Sequence, residues 1–327
     1  MRRARAGTTR AWVIALVAAA VSQAIPRVHR APLVVARAPQ VQVAAPTPVA
    51  AAIAAPTPAP VVTRPDHVII ISEDGLRPDA LTAALAPTHV ALMREATVAS
   101  QARTIAQSDT LPSHASMLSG FPAARHGLHW NSFKPGRGYI HVPTVFSIAH
   151  RAGLSTAMIV GKPKLRHIAP SGTVGHFERP SYLCGGVSRR AAAYFLAERP
   201  RLLFIHFSDP DEYGHSHGWM SEAYRRAVTS SDRCLATVLA ALDASGVADR
   251  TLVIVTADHG GHGHQHSRGH DDDLERQIPW IARGPGAAEN QLLDTPVSTM
   301  DTAATVLAAL RLSPAPGSQG VPVLRYP

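Results

Sequence analysis

From residue 65 onward the chain alternates short apolar runs with longer amphipathic segments. His67-Val68-Ile69-Ile70-Ile71 is β-branched and free of polar residues after its first position, the pattern of a strand covered on both faces in a parallel sheet. Residues 156–160, 202–207, 251–256 and 278–282 repeat it. Between these runs the spacing predicts helices over 78–96, with proline in the first turn, and over 188–198, 222–244 and 300–310. Strands alternating with helices, without an internal repeat, predict an α/β fold: a doubly wound, mostly parallel central sheet with helices on both faces.

Polar residues break this pattern at the ends of strands. Ser72-Glu73-Asp74-Gly75 closes the first, Ser208-Asp209-Pro210-Asp211 follows another, and Ala257-Asp258-His259-Gly260 ends a third. Ligands of open α/β sheets bind beyond the carboxyl ends of the strands, so these acids and imidazole belong to one rim. Asp211 and His215, four apart, are expected to share one tight loop. Carboxylate plus imidazole suits zinc, with manganese or iron as competitors. Singly, Asp74 reads as a turn residue, Asp211 as a helix cap and Asp258-His259-Gly260 as a strand-end turn; their coincidence fits a two-metal site better. Thr110 precedes the helical residues 115–118, where a hydroxyl ordinarily caps. The same place offers a nucleophile the N–H groups and positive dipole end that hold phosphate, and a bound metal favours its alkoxide.

Composition changes the picture at the N-terminus. A net charge of +9 would suit a nucleic-acid surface, but eight arginines precede the first acid, Asp66, and the remainder carries 24 basic against 23 acidic residues. No nucleic-acid surface is therefore expected. Arg2, Arg3, Arg5 and Arg10 lead into the apolar residues 11–21 and a small-x-small site at Ser22-Gln23-Ala24. Residues 1–25 thus read as a signal peptide or, if the apolar run extends to Ile25, a signal anchor. Residues 26–64 form a semi-extended linker, with 11 Ala and 7 Pro between 31 and 62; a cleaved signal is the first expectation and a membrane tether the alternative that such a linker keeps open. Three lysines against 29 arginines is the bias of a GC-rich bacterial genome, which makes the expected location the periplasm or cell surface. Cys184 and Cys234 either pair in that oxidising compartment or leave Cys234 as a small buried residue of its helix.

The ordered segments Asp74-Gly-Leu-Arg-Pro-Asp79, Thr110-Leu-Pro-Ser-His114, Pro210-Asp-x-x-Gly-His215 and Ala257-Asp-His-Gly-Gly261 resemble the alkaline phosphatase superfamily. Within it the chain resembles the nucleotide pyrophosphatase/phosphodiesterase (type I phosphodiesterase) branch. Ser119-Gly-Phe-Pro122 with His126-Gly127, Gly161-Lys-Pro-Lys164, and Ile278-Pro-Trp-Ile281 add to the likeness, which runs from about residue 67 to about 314. The resemblance implies that 65–327 is a metal-dependent phosphodiesterase/phosphatase catalytic domain for small phosphate esters. It implies two divalent ions, zinc in the first instance. Asp74, Asp258 and His259 hold one, with Thr110 as fourth ligand and nucleophile; Asp211 and His215 hold the other with a downstream histidine. His262, His264, His266 and His270 compete for that last place, and Gly269-His270 followed by acids is most like the family segment. The implied scheme is attack by Thr110, a phosphothreonine, and its hydrolysis.

Ser113 and Lys162 are the substrate-contact candidates, with Lys164 beside them. Ser113 stands where the family's nucleotide-cleaving members are expected to carry an asparagine, which puts nucleotide diesters in question. Phosphomonoesterase or phosphonate monoester hydrolase activity on the same metals is the alternative, and a catalytically silent tethered binding protein the alternative of another class. A sulfatase is disfavoured, because it needs a formylglycine made from cysteine or serine in a C/S-x-P-x-R context, whereas Thr110 and His114 occupy those places.

Overall fold

Val68 to Ile71, buried on both sides, lie at the middle of the main sheet. The computed structural model describes residues 64–266 and 272–326. Its strands are β1 (His67–Glu73), β2 (Thr97–Ala99), β3 (Ala102–Arg103), β4 (Thr156–Val160), β5 (His176–Glu178), β6 (Leu202–Phe207), β7 (Thr251–Thr256), β8 (Trp280–Arg283), β9 (Gln291–Leu293) and β10 (Val297–Ser298). Its helices are α1 (Pro87–Arg94), α2 (Thr110–Ser119), α3 (Ala123–His126), α4 (Val145–Arg151), α5 (Cys184–Glu198), α6 (Asp209–His217), α7 (Glu222–Ala244), α8 (Asp273–Arg276) and α9 (Asp301–Ala309).

Eight strands form the main sheet in the order β5-β4-β6-β1-β7-β8-β2-β9, and β3 pairs with β10 apart from it. β8 alone runs against its neighbours, antiparallel to both β7 and β2. Side chains alternate between the two faces with the period of a strand. Val68, Ile70, Phe204 and Ile254 pack under Leu111 and Met117 of α2, Phe146 of α4 and Val306 of α9. Ile69, Ile71, Ile205 and Val255 pack under Leu92 of α1, Phe195 of α5 and Leu235 of α7. Helices therefore cover both faces of a mostly parallel sheet, the architecture the sequence predicts. Among the described residues no helix is long and apolar enough to cross a membrane; residues 1–25 lie outside them.

Several expected elements change. The single helix over 78–96 is a 3-10 turn at Pro78–Ala80, then α1, then β2. Pro87 cannot donate an N–H within a continuous helix, so a new helix starts with Pro87 in its first turn. The helix expected from 188 begins at Cys184, whose N–H donates to Asp209 Oδ2 at 2.7 Å. Cys184 and Cys234 form a disulfide that ties α5 to α7. The strand placed at 278–282 starts after Pro279 and ends at Arg283. Asp211 and His215 do not share a loop: both lie on α6, where a separation of four puts them on one helical face.

Candidate active site

The strand order β4-β6-β1-β7 brings four carboxyl ends side by side. β1 delivers Asp74, β7 delivers Asp258 and His259, β6 leads into α6 with Asp211 and His215, and β4 leads into Lys162. Gly75 turns the chain away from β1 with φ +70°, a conformation other residues rarely adopt; a Cβ there would lie 2.9 Å from Asp211 Cα. The Asp211 N–H donates to the Asp74 carbonyl at 2.9 Å, and the Gly75 N–H to Asp258 Oδ1 at 3.2 Å. The three strand ends are thus bonded to one another.

Two clusters of ligand atoms result: Asp74, Asp258 and His259, and Asp211, His215 and His266. His259 Nε2 lies 3.4 Å from Asp74 Oδ1, 3.3 Å from Asp258 Oδ2 and 3.9 Å from Asp211 Oδ1, so the clusters adjoin. His266 Nε2 and His215 Nε2 lie 3.5 and 3.4 Å from Asp211 Oδ1 and 3.0 Å from each other. Each imidazole has its other nitrogen on a backbone carbonyl. His259 Nδ1 is 2.8 Å from Gly260 O, His215 Nδ1 3.0 Å from His264 O, and His266 Nδ1 2.6 Å from Ser108 O. A carbonyl only accepts, so Nδ1 carries a hydrogen, and a ring that gives up its other proton to a bound cation presents its lone pair at Nε2. Asp211 Oδ1, Asp258 Oδ2 and His259 Nε2 are moreover buried without a hydrogen-bond partner. Convergent lone pairs and orphaned buried acceptors are what a divalent cation satisfies.

The charges of these groups depend strongly on one another. Burial would raise the Asp74 carboxyl, but Lys162, His206 and His259 outweigh it and hold it well below the usual range. Burial and the neighbouring Asp74 charge push Asp258 the other way. Burial would lower His259, yet Asp258, Asp74 and Asp211 raise it to about 10. His266 is lowered to about 3 by burial and by the His259 charge. Three carboxylates crowded in a buried space repel each other, and cations relieve that repulsion.

Thr110 is the first residue of α2 and is wholly buried, with its hydroxyl donating to Asp74 Oδ1 at 3.4 Å. Lys162, which ordinary side-chain behaviour would place at the surface, is 3% exposed. Its ammonium lies 2.8 Å from Asp74 Oδ2 and also bonds Asp211 Oδ2, linking the two clusters. Burial would lower its pKa, but Asp211 and Asp74 raise it above the ordinary lysine value.

Asp74, Thr110, Asp211, His215, Asp258, His259 and Lys162 come together as the sequence suggests. Ser113 does not join them: it is buried, its hydroxyl paired with Thr104 Oγ1 at 2.8 Å. His270 lies outside the described residues, and His266 is the downstream histidine found beside Asp211 and His215. The amide beside Thr110 is Asn131, not position 113. Its Oδ1 accepts from the Leu111 N–H at 3.1 Å and Lys164 Nζ at 2.9 Å, and its Nδ2 donates to Asp109 Oδ1 at 3.3 Å. Asn131 is one of two asparagines in the chain and follows the His126-Gly127 segment closely, the one signal that could have found it. His206 and His114 were also missed: His206 Nε2 lies 2.9 Å from Asp74 Oδ2, and His114 Nδ1 2.8 Å from the Thr110 carbonyl. Burial lowers both, His114 to about 4.

Residues 68–290 match the family described as Type I phosphodiesterase / nucleotide pyrophosphatase. Among solved structures, the chain is similar to an inactive form of murine ectonucleotide pyrophosphatase / phosphodiesterase 5 in complex with AMP. That match has a TM-score of 0.64 and 16% identity, over 77% of this chain and 96% of the murine one. A 2-O GAG sulfatase matches with a TM-score of 0.64 and 17% identity, over 80% of this chain and 73% of its own. At these identities the likenesses speak for the fold. In sequence the chain is 34% identical to rat steryl-sulfatase over 33% of its own length, and 44% identical to the mouse protein over 24%. These matches span only 23% and 14% of the two sulfatases.

Proposed function

Since the chain belongs to the Type I phosphodiesterase / nucleotide pyrophosphatase family and is a hydrolase of phosphoric esters, we propose that it works through two divalent ions and Thr110. Asp74, Asp258 and His259 would hold one ion, and Asp211, His215 and His266 the other. Bound there, divalent ions favour an ionised hydroxyl and offset charge on the entering and leaving oxygens. The observation that carries the reading is the set of three imidazoles, each with Nδ1–H on a carbonyl and Nε2 aimed at the carboxylates. This donor set suits zinc.

Thr110 Oγ1 attacks phosphorus, the bond to the leaving oxygen breaks, and a phosphothreonine forms; attack by water then frees Thr110 and releases the phosphate product. The N-terminus of α2 turns its positive dipole end to this phosphate. Asn131, whose Oδ1 accepts from the Leu111 N–H, has a second hydrogen on Nδ2 to offer a non-bridging oxygen. Residues 1–25 export the protein to the periplasm or cell surface, as a cleaved signal or an anchor, and the Cys184–Cys234 disulfide suits that compartment.

The test is metal content and turnover of the full chain beside Thr110→Ala. Two divalent ions per chain in both proteins, acid-stable label on Thr110 from a phosphate-labelled ester, and at least about 1,000-fold loss of turnover in the variant are expected. Undiminished turnover in Thr110→Ala would remove the nucleophile from the scheme. Two bound ions without turnover on any ester would favour the silent binding protein.

A further inference from the structure

We propose that His262, Asp272 and Glu275 form a third divalent-cation site, outside the clusters around Asp74 and Asp211. It takes zinc more weakly than they do and closes the segment that carries His266.

The donor atoms converge. His262 Nδ1 lies 3.0 Å from Asp272 Oδ2 and 3.5 Å from Glu275 Oε1, and the three ligand atoms fall within 4.8 Å of one another. A tetrahedral zinc ion with bonds of about 2.0–2.1 Å holds its ligand atoms roughly 3.3 Å apart. The separations here bracket that edge. In the active site the corresponding distances are 3.3 Å between His259 and Asp258 and 3.5 Å between His266 and Asp211. His262 Nδ1 is shielded from solvent and, for all its nearness to Asp272, makes no hydrogen bond; Asp258 Oδ2 and His259 Nε2 show the same signature. An imidazole that binds through a lone pair is neutral, so two carboxylates remain to offset one divalent ion. Oxygen-only donor sets suit calcium or magnesium, and the imidazole turns this one towards zinc.

The site is open where the active site is enclosed. Glu275 is buried, but the His262 and Asp272 side chains are 35% and 29% exposed, so water completes the coordination and the ion exchanges with solvent. Affinity in the micromolar range follows, weaker than at the enclosed clusters. What the ion closes is set by the backbone. The Gly260 and Gly261 N–H groups donate to the Glu275 and Leu274 carbonyls at 2.7 and 2.8 Å, so the chain leaving β7 already runs beside α8. A cation joining His262 to Asp272 closes a separation of ten residues that includes His266. Glu275 reaches His266 by a second route. Its Oε2 accepts from Ser108 Oγ at 3.2 Å, and the Ser108 carbonyl accepts from His266 Nδ1 at 2.6 Å. Filling the outer site therefore steadies a ligand of the inner one.

The experiment starts from the full chain, gel-filtered in metal-free buffer so that only tightly held ions remain. Zinc chloride is then added, with binding read by calorimetry and by equilibrium dialysis with elemental analysis. One further ion per chain is expected. His262→Gln and Asp272→Asn should each weaken this added step by more than about 10-fold, the lower range for loss of even an outer partner, and should keep the tightly held ions. Asparagine can still accept from the Leu274 N–H, which Asp272 Oδ1 now does at 2.7 Å, so the helix cap survives and the ion is tested alone. His217→Gln, at an exposed histidine of α6, should bind the added ion as wild type does. Excess zinc should raise the melting temperature of wild type by a few degrees and leave that of His262→Gln unmoved. An added ion that persists in both site variants overturns the proposal, as does a wild type that takes up none. Each readout is a difference between wild type and variant, so failure of the Thr110 scheme, seen as a missing tight ion or no turnover of any ester, leaves this count intact.

Discussion

Replacing His89 by glutamine tests the buried charge network that fixes the end of β1. His89 is fully buried between two carboxylates, with Nε2 2.7 Å from Glu73 Oε1 and Nδ1 2.8 Å from Asp232 Oδ1. Both acceptors want a hydrogen, so the ring is held as imidazolium. Burial opposes this, but Glu73 and Asp232 outweigh it and raise the pKa from 6.5 to about 9. Because the folded value exceeds the unfolded one, the stabilisation is complete below pH 6.5 and disappears as pH rises through about 9. At about 1.4 kcal/mol per pH unit, that rise is worth about 3 kcal/mol. Glutamine cannot carry the charge and leaves two buried carboxylates without a cation. Urea unfolding of the full chain, followed by tryptophan fluorescence from pH 6 to 9.5, reads the effect directly. The stability difference between wild type and His89→Gln should shrink by about 3 kcal/mol across this range, at unchanged m. Stability curves that stay parallel would refute a charged His89. Since Glu73 immediately precedes Asp74, the variant should also weaken metal binding at the cluster containing Asp74.

Two further outcomes separate alternatives at the site and in the scaffold. His266→Ala should lose one of two bound ions, measured by elemental analysis, while His270→Ala should keep both; the reverse result would return the last ligand to the residue favoured by sequence. Cys184→Ser should lower stability by about 2–4 kcal/mol in urea, because the disulfide closes a separation of 50 residues and ties the start of α5 to α7; a change under about 0.5 kcal/mol would show that α5 packing suffices without the bond.

Strands buried on both faces were legible because a short, nearly continuous apolar run bounded by turn residues is what a strand covered on both faces requires. β4, β6 and β7 begin and end where their apolar runs do. β2 and β9 have only three residues each, and β9 is mostly exposed, so they carry no such pattern. Family membership and fold are likewise readable from the four ordered segments. His266 was harder to choose. Four histidines between 262 and 270 have no periodic pattern, and only the fold shows His266 stacked on His259 with ring centroids 3.8 Å apart. Asn131 and His206 act across 20 and 132 residues of separation, distances that no local pattern encodes.

Lys162 shows why site chemistry is less legible than site position. A lysine after a strand ordinarily extends into solvent, since its charge is costly to bury and its stem is long enough to escape. Gly161 removes that freedom: a Cβ there would meet Ser208 Oγ at 2.2 Å, so β4 and the start of α6 approach more closely than any side chain permits. The close approach brings the following residue against Asp211, and Asp74 lies within reach because β6 stands next to both β4 and β1. A burial that would otherwise be prohibitive is thereby met by two carboxylates. The same contacts that make Lys162 tolerable make the local charge depend on strand order, and strand order is a property of the folded sheet. The four segments identify the family through their residues; the charge presented to the substrate follows from which strands those segments end.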